Sequence, residues 1–106
     1  MITKIEGLDS LTKLQDLTLF SNKIEHVSGL ENLPELNVLS LGNNLIQSHS
    51  EVVDYLRKIE NKLEVLTLMG NPCIKENENE YRMRVVAYLP KLKYIDYSVI
   101  EKEFRT

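Results

Sequence analysis

Cys73 is the only cysteine in 106 residues, so no internal disulfide can form. The fold must rest on packing and hydrogen bonds, and the lone thiol fits a reducing compartment. No apolar run approaches the ~20 residues that cross a bilayer as a helix, and no basic-then-apolar stretch of the signal-peptide kind opens the sequence. Neither sign of charge dominates. Thirteen Lys and Arg stand against sixteen Asp and Glu, for a formal net charge of −3. That balance supplies neither the basic stripe of a nucleic-acid binder nor the polybasic patch that holds an anionic membrane. The expectation is therefore no direct nucleic-acid partner and no membrane.

The chemistry-bearing residues are equally sparse. His26 and His49 have no Cys or carboxylate at metal-ligand spacing, so both are read as surface or turn-packing histidines. Cys73 has no histidine in its repeat to act as a base and is read as a buried structural thiol. The run Glu76, Glu78, Glu80 lacks the glycine turn and closing glutamate of a calcium loop, and suits a helix N-terminus instead. Gly42 and Gly70 each precede an asparagine and are assigned to turns, not to a phosphate loop. These absences predict no catalytic residue, no metal and no cofactor.

What is present is a repeat. Leu8, Leu11, Leu14, Leu17, Leu19, Asn22 and Ile24 recur as Leu30, Leu33, Leu36, Leu39, Leu41, Asn44 and Ile46, at a constant offset of 22 residues. A third copy runs through Leu63, Leu66, Leu68, Asn71 and Ile74, and a degenerate fourth through Leu92, Ile95 and Tyr97. Self-similarity at this period, written L-x-x-L-x-L-x-x-N-x-I, marks the leucine-rich repeat. Each x-L-x-L-x segment alternates in polarity, the period of a strand. Short parallel strands are predicted around residues 16–20, 38–42, 65–69 and 94–96, because every repeat returns the chain to the same edge. The fold class is thus α/β: a right-handed solenoid with a short parallel sheet on its concave side.

The repeats also differ in ways that predict helices. Ser48 and Glu51 form a capping box, followed by Val52, Leu56, Ile59 and Leu63 at helical spacing. Asn77 with Glu80 reads as a second N-cap, followed by a stripe of Tyr81, Val85, Tyr88 and Leu89 that Pro90 ends. The organisation is a single domain over 1–106. Residues 1–11 are the tail of a truncated repeat, 12–74 are three repeats, 75–98 are a C-terminal cap and 99–106 are a tail or the start of a following helix. Because no strand precedes Ile2, the chain reads as part of a longer protein, with an uncovered edge that invites self-association.

Function is expected on the side chains between the leucines, which leave the concave face. They form three columns: Asp16, Val38, Val65 and Tyr94; then Thr18, Ser40, Thr67 and Asp96; then Phe20, Gly42 and Met69. The middle column is small and polar, and apolar rims flank it. Such a trough suits a partner's helix laid in a groove. The candidate partner-binding residues are Asp16, Thr18, Phe20, Val38, Ser40, Val65, Thr67, Met69 and Tyr94. Asn22, Asn44 and Asn71 are assigned a structural role at the turns off the strands.

The unit ending Ile24-x-x-Val27-x-x-Leu30 resembles the SDS22-like class of leucine-rich repeat. The segment carrying Asn71-Pro72, Glu80-Tyr81-Arg82, Tyr88-Leu89-Pro90-Lys91-Leu92 and Ile95-Asp96 resembles that class's C-terminal cap. Within the class, the strings IEGLDSLTKLQDLTLFSNKI, LNVLSLGNNLI and AYLPKLKYIDY are most similar to the leucine-rich repeat subunits of the ciliary dynein regulatory complex. That resemblance implies a noncatalytic scaffold in the nexin link of the axoneme, a cytoplasmic and ciliary location, and a helical or coiled-coil segment of a neighbouring subunit as partner. The alternative implied by the same class is a phosphatase regulator of the SDS22 type, or another cytosolic or nuclear adaptor resembling dynein light chain 1 or the spliceosomal U2 A-prime protein.

Overall fold

A computed structural model describes residues 1–59, 62–75, 78–96 and 98–99. The strands are β1 (Asp16–Thr18), β2 (Val38–Ser40), β3 (Val65–Thr67), β4 (Tyr94–Ile95) and β5 (Ser98–Val99). They form one sheet in chain order, parallel from β1 to β4 and antiparallel between β4 and β5. Leu17 pairs with Leu39, and Leu39 with Leu66, so the three repeats lie side by side in the register the leucine spacing predicts. The strands are shorter than the predicted segments, yet the ladder runs past them. The N–H groups of Leu19 and Leu41 donate to the carbonyls of Ser40 and Thr67, each at 2.8 Å.

Beyond each strand the backbone turns left-handed at one position per repeat: Ser21 (φ 56°), Asn43 (φ 55°) and Gly70 (φ 84°). Two of the three are not glycine, so the surrounding ladder holds them there against a steric cost. Gly70 serves its turn as expected. Gly42 is not left-handed; it is there because the Phe20 ring lies across it, and a Cβ at that position would meet the ring carbon at 2.4 Å.

On the convex side, α1 (His49–Lys58) begins at the predicted N-cap, where Ser48 Oγ accepts the Glu51 N–H at 3.2 Å. It buries His49, Val52, Val53 and Leu56, and it stops one residue before Ile59, which is extended (φ −98°, ψ 149°). Ile59 and Leu63 of the predicted stripe therefore lie beyond the helix. The chain then forms α2 (Pro72–Lys75), a single turn opened by a proline at a position that needs no donor. Helix α3 (Glu78–Tyr88) buries Tyr81 and Val85 but leaves Tyr88 exposed. Glu76, Asn77, Tyr97 and the tail 100–106 lie outside the described residues.

The core is a stack of leucine layers, and its two ends differ. Leu33 is 1% exposed, whereas Leu11, its counterpart 22 residues earlier, is 47% exposed. Leu8, Leu14, Leu17 and Leu19 are only partly buried, while Leu30, Leu36, Leu39 and Leu41 are sealed. The opposite end is closed by Tyr81, Val85 and Ile95, all fully buried. Truncating Leu39 to Ala is expected to cost about 2–5 kcal/mol. The same change at Leu11 is expected to stay within about 0.5 kcal/mol. Urea denaturation of the two variants measures the contrast.

Candidate concave binding face

Three asparagines set the spacing of the strands. Asn44 Oδ1 accepts the Ile24 N–H at 3.1 Å, and its Nδ2 donates to the carbonyls of Leu19, Leu41 and Gly42 at 2.9, 3.0 and 3.2 Å. Asn71 repeats the arrangement, accepting from Ile46 N–H at 3.1 Å and donating to Leu41 and Leu68 carbonyls at 2.8 Å. Asn22 accepts from Ile2 N–H at 2.9 Å and donates to the Leu19 and Phe20 carbonyls of its own repeat. Each amide thus joins its own turn to the repeat before it, so the strands repeat at a fixed height and the outward side chains fall into columns.

The register aligns those columns. Asp16, Val38, Val65 and Tyr94 pair in sequence across the sheet, as do Thr18, Ser40 and Thr67. Phe20 is 38%, Met69 49% and Tyr94 44% exposed, and Val38 and Val65 are half-buried. The exposed Thr18 hydroxyl donates to Asp16 Oδ1 at 2.7 Å, which holds the carboxylate over β1. The middle column departs from expectation. Ser40 is 8% and Thr67 2% exposed, so neither offers its hydroxyl to a partner. Strands about 4.8 Å apart bring larger neighbours over short side chains, and the floor of the trough is closed. What the face exposes is the two apolar rims and the Asp16–Thr18 corner.

Asp96 is the second departure. It was expected at the end of the middle column. Instead it takes a left-handed backbone (φ 47°), and its Oδ1 accepts the N–H groups of Leu68 at 2.8 Å and Met69 at 3.1 Å. It therefore ends the ladder beyond β3, doing for the last full repeat what another strand does for the others. Asp tolerates a left-handed backbone better than most residues, which is the one signal in the sequence that pointed this way. Burial pushes its carboxyl up from the ordinary value, against the two N–H bonds that pull it down.

Along the strand starts runs a polar strip. Asn37 Nδ2 donates to Glu64 Oε1 at 3.0 Å, and Lys93 pairs with Glu64 at 2.8 Å. The Lys93 contact holds the Glu64 carboxyl below its usual value, and Glu64 raises the Lys93 ammonium in turn. On the convex side, Tyr55 donates to Glu31 and accepts the Leu30 N–H at 2.9 Å, and burial pushes its phenol up to about 12. Burial pushes Cys73 up to about 11, which leaves an unreactive thiol. His26 pairs with Glu51 on the surface at 2.8 Å, and His49 packs its ring 6.0 Å from that of Tyr81. Among the described residues, no three His, Cys, Asp or Glu side chains gather as a metal site, and no helix is long and apolar enough to cross a membrane.

This geometry is that of a leucine-rich repeat solenoid. Residues 1–106 match the Leucine-rich repeat family, and the chain belongs to it. Among its relatives, Leucine-rich repeat-containing protein 23 of Bos taurus is 34% identical over 99% of this chain, which spans 30% of that protein. Cilia- and flagella-associated protein 410 of Homo sapiens is 31% identical over 96% of this chain and 39% of its own length. The chain therefore spans well under half of these relatives. A chain of the Drosophila melanogaster SNF/U2A' complex superposes with a TM-score of 0.68 at 25% identity, covering 98% of this chain and 72% of that one.

Two variants test the frame of the face. Asn44→Ala leaves buried backbone groups unpaired and is expected to cost about 1–3 kcal/mol for each such group, read by thermal denaturation. Asp96→Asn tests the ionisation. A carboxyl raised in the folded state adds stability that is complete below its unfolded pKa and shrinks as pH rises through the folded value. An asparagine keeps the acceptor oxygen without the charge. The variant is expected to match or exceed the parent at pH 7, and any advantage is expected to fade below about pH 4. Melting temperatures across that range measure it.

Proposed function

We propose that this chain is a noncatalytic protein-binding unit whose concave face grips a helical or coiled-coil segment of a partner. The observation that carries the reading is the stacking of apolar side chains in register. Phe20 and Met69 form one rim, and Val38, Val65 and Tyr94 form the other, on a sheet face that solvation alone would keep polar. The Phe20 ring lies across Gly42, where a Cβ would collide with it. Aromatic side chains are among the positions where interface energy concentrates. The closed floor at Ser40 and Thr67 means that apolar contact, rather than a central row of hydroxyl bonds, would carry the affinity.

The likeness to a cilia- and flagella-associated protein, together with the sequence resemblance to dynein regulatory complex subunits, supports a setting in the ciliary axoneme, as a scaffold of the nexin link. The structural likeness to a chain from a two-protein complex supports the binding role in general. A double variant, Phe20→Glu with Met69→Glu, is expected to weaken capture of axonemal coiled-coil subunits by about tenfold or more, the equivalent of 1.4 kcal/mol. Tyr94→Glu probes the opposite rim without touching the Phe20–Gly42 contact. Circular dichroism checks that each variant keeps its fold, and unchanged capture by all of them removes this face from contention.

A further inference from the structure

The rim that runs along the strand starts is not uniform. From β1 to β4 it reads Asp16, Val38, Val65 and Tyr94, one residue per strand and paired in register. Three of these are apolar or aromatic, and the first carries a charge. Asp16 is exposed, and the Thr18 hydroxyl on the same face donates to its Oδ1 at 2.7 Å, which holds the carboxylate against β1. Glu35 and Glu64, at the starts of β2 and β3, hold Lys62 and Lys93, each at 2.8 Å. Among the described residues Asp16 holds no Lys, Arg or His. Strands β1 and β2, which flank that carboxylate, lie within the continuous segment 1–59. The row therefore opens with an uncompensated anion and continues as an apolar strip.

The spacing of the row selects a partner geometry. Neighbouring strands lie about 4.8 Å apart, and a helix rises about 5.4 Å per turn. A helix laid across the strands sets one turn over each and drifts by only ~2 Å between β1 and β4. Its side chains at i, i+4, i+7 and i+11 then face the row. Apolar contact alone does not fix where such a helix stops, because Val38 and Val65 are alike and a slip of one turn exchanges one for the other. On the reading of this face as a helix-binding groove, we propose that the partner's apolar stripe ends in a lysine or arginine, which meets Asp16 while the stripe covers Val38, Val65 and Tyr94. The carboxylate sets the partner's register more than its affinity. A helix slipped by one turn lays an apolar side chain over the carboxylate and strips water from an unpaired charge. A helix with an acid at that position meets like charge.

Three synthetic helical peptides test this. They share one leucine stripe and differ only at its two ends, which carry Lys, Gln or Glu, so that either polarity of the helix offers Asp16 the same group. Fluorescence anisotropy at low ionic strength reads their affinities for the full chain. The Lys peptide is expected to bind about fivefold tighter than the Glu peptide, the scale of one exposed attractive pair set against one repulsive pair. The Gln peptide falls between them. Asp16→Lys is expected to invert the order and Asp16→Asn to level it, with circular dichroism unchanged. Glu25→Lys makes the same change of charge at an exposed position beside His26, away from the sheet, and is expected to keep the order of the parent. Equal affinity of the parent for all three peptides overturns the proposal and leaves the helix-binding reading standing. An order that Glu25→Lys inverts as fully as Asp16→Lys overturns it too, because net charge then accounts for the preference. Absence of binding by every peptide overturns both readings.

Discussion

Everything in this molecule hangs on the side-chain amide that closes each repeat. A solenoid turn exposes backbone groups inside an apolar coil, where an unpaired donor or acceptor is costly. Asn44 reaches four such groups, accepting the Ile24 N–H and sharing its two amide hydrogens among three carbonyls of two repeats. No aliphatic residue does this, and a carboxylate lacks the donor half. The leucines supply the driving force for burial, but they are interchangeable in direction. The asparagine bonds fix which turn sits on which, and at what height.

The shape of the concave face follows from that spacing. Because Leu17, Leu39 and Leu66 pair directly, every outward residue meets its counterpart from the next repeat, and small differences between repeats become differences between columns. Short residues in the middle column sink below their neighbours. Bulky ones at the margins rise as rims. A glycine at position 42 lets Phe20 lie flat. The shape of the face is therefore written in side-chain size at a few positions, on a backbone that hardly varies.

Most of this architecture was readable before any coordinates. A 22-residue repeat leaves little freedom, so the strand positions, their parallel pairing, the Ser48 cap and the inward leucines all followed from spacing. The misses share a cause. Burial of Ser40 and Thr67 depends on what stands beside them across the sheet, and the reversal of Asp96 depends on two N–H groups 27 and 28 residues earlier that have lost their next strand. The role of Gly42 depends on a ring 22 residues earlier. Local period says where a side chain starts; it does not say what its distant neighbours will cover or demand. The single turn at Pro72 and the antiparallel strand at Ser98 lie where the repeat breaks down, and the pattern has nothing to say there.

The unequal sealing of the leucine stack gives the molecule a polarity in time as well as in space. In a structure where each layer touches only its neighbours, cooperativity spreads from layer to layer. Amide protons near β1, beneath half-wetted leucines, are set to exchange through shallow local openings, whereas those of β3 wait for nearly complete unfolding. Tyr81 and Ile95 close one end of the row of layers, and the described leucines are less tightly sealed toward the other.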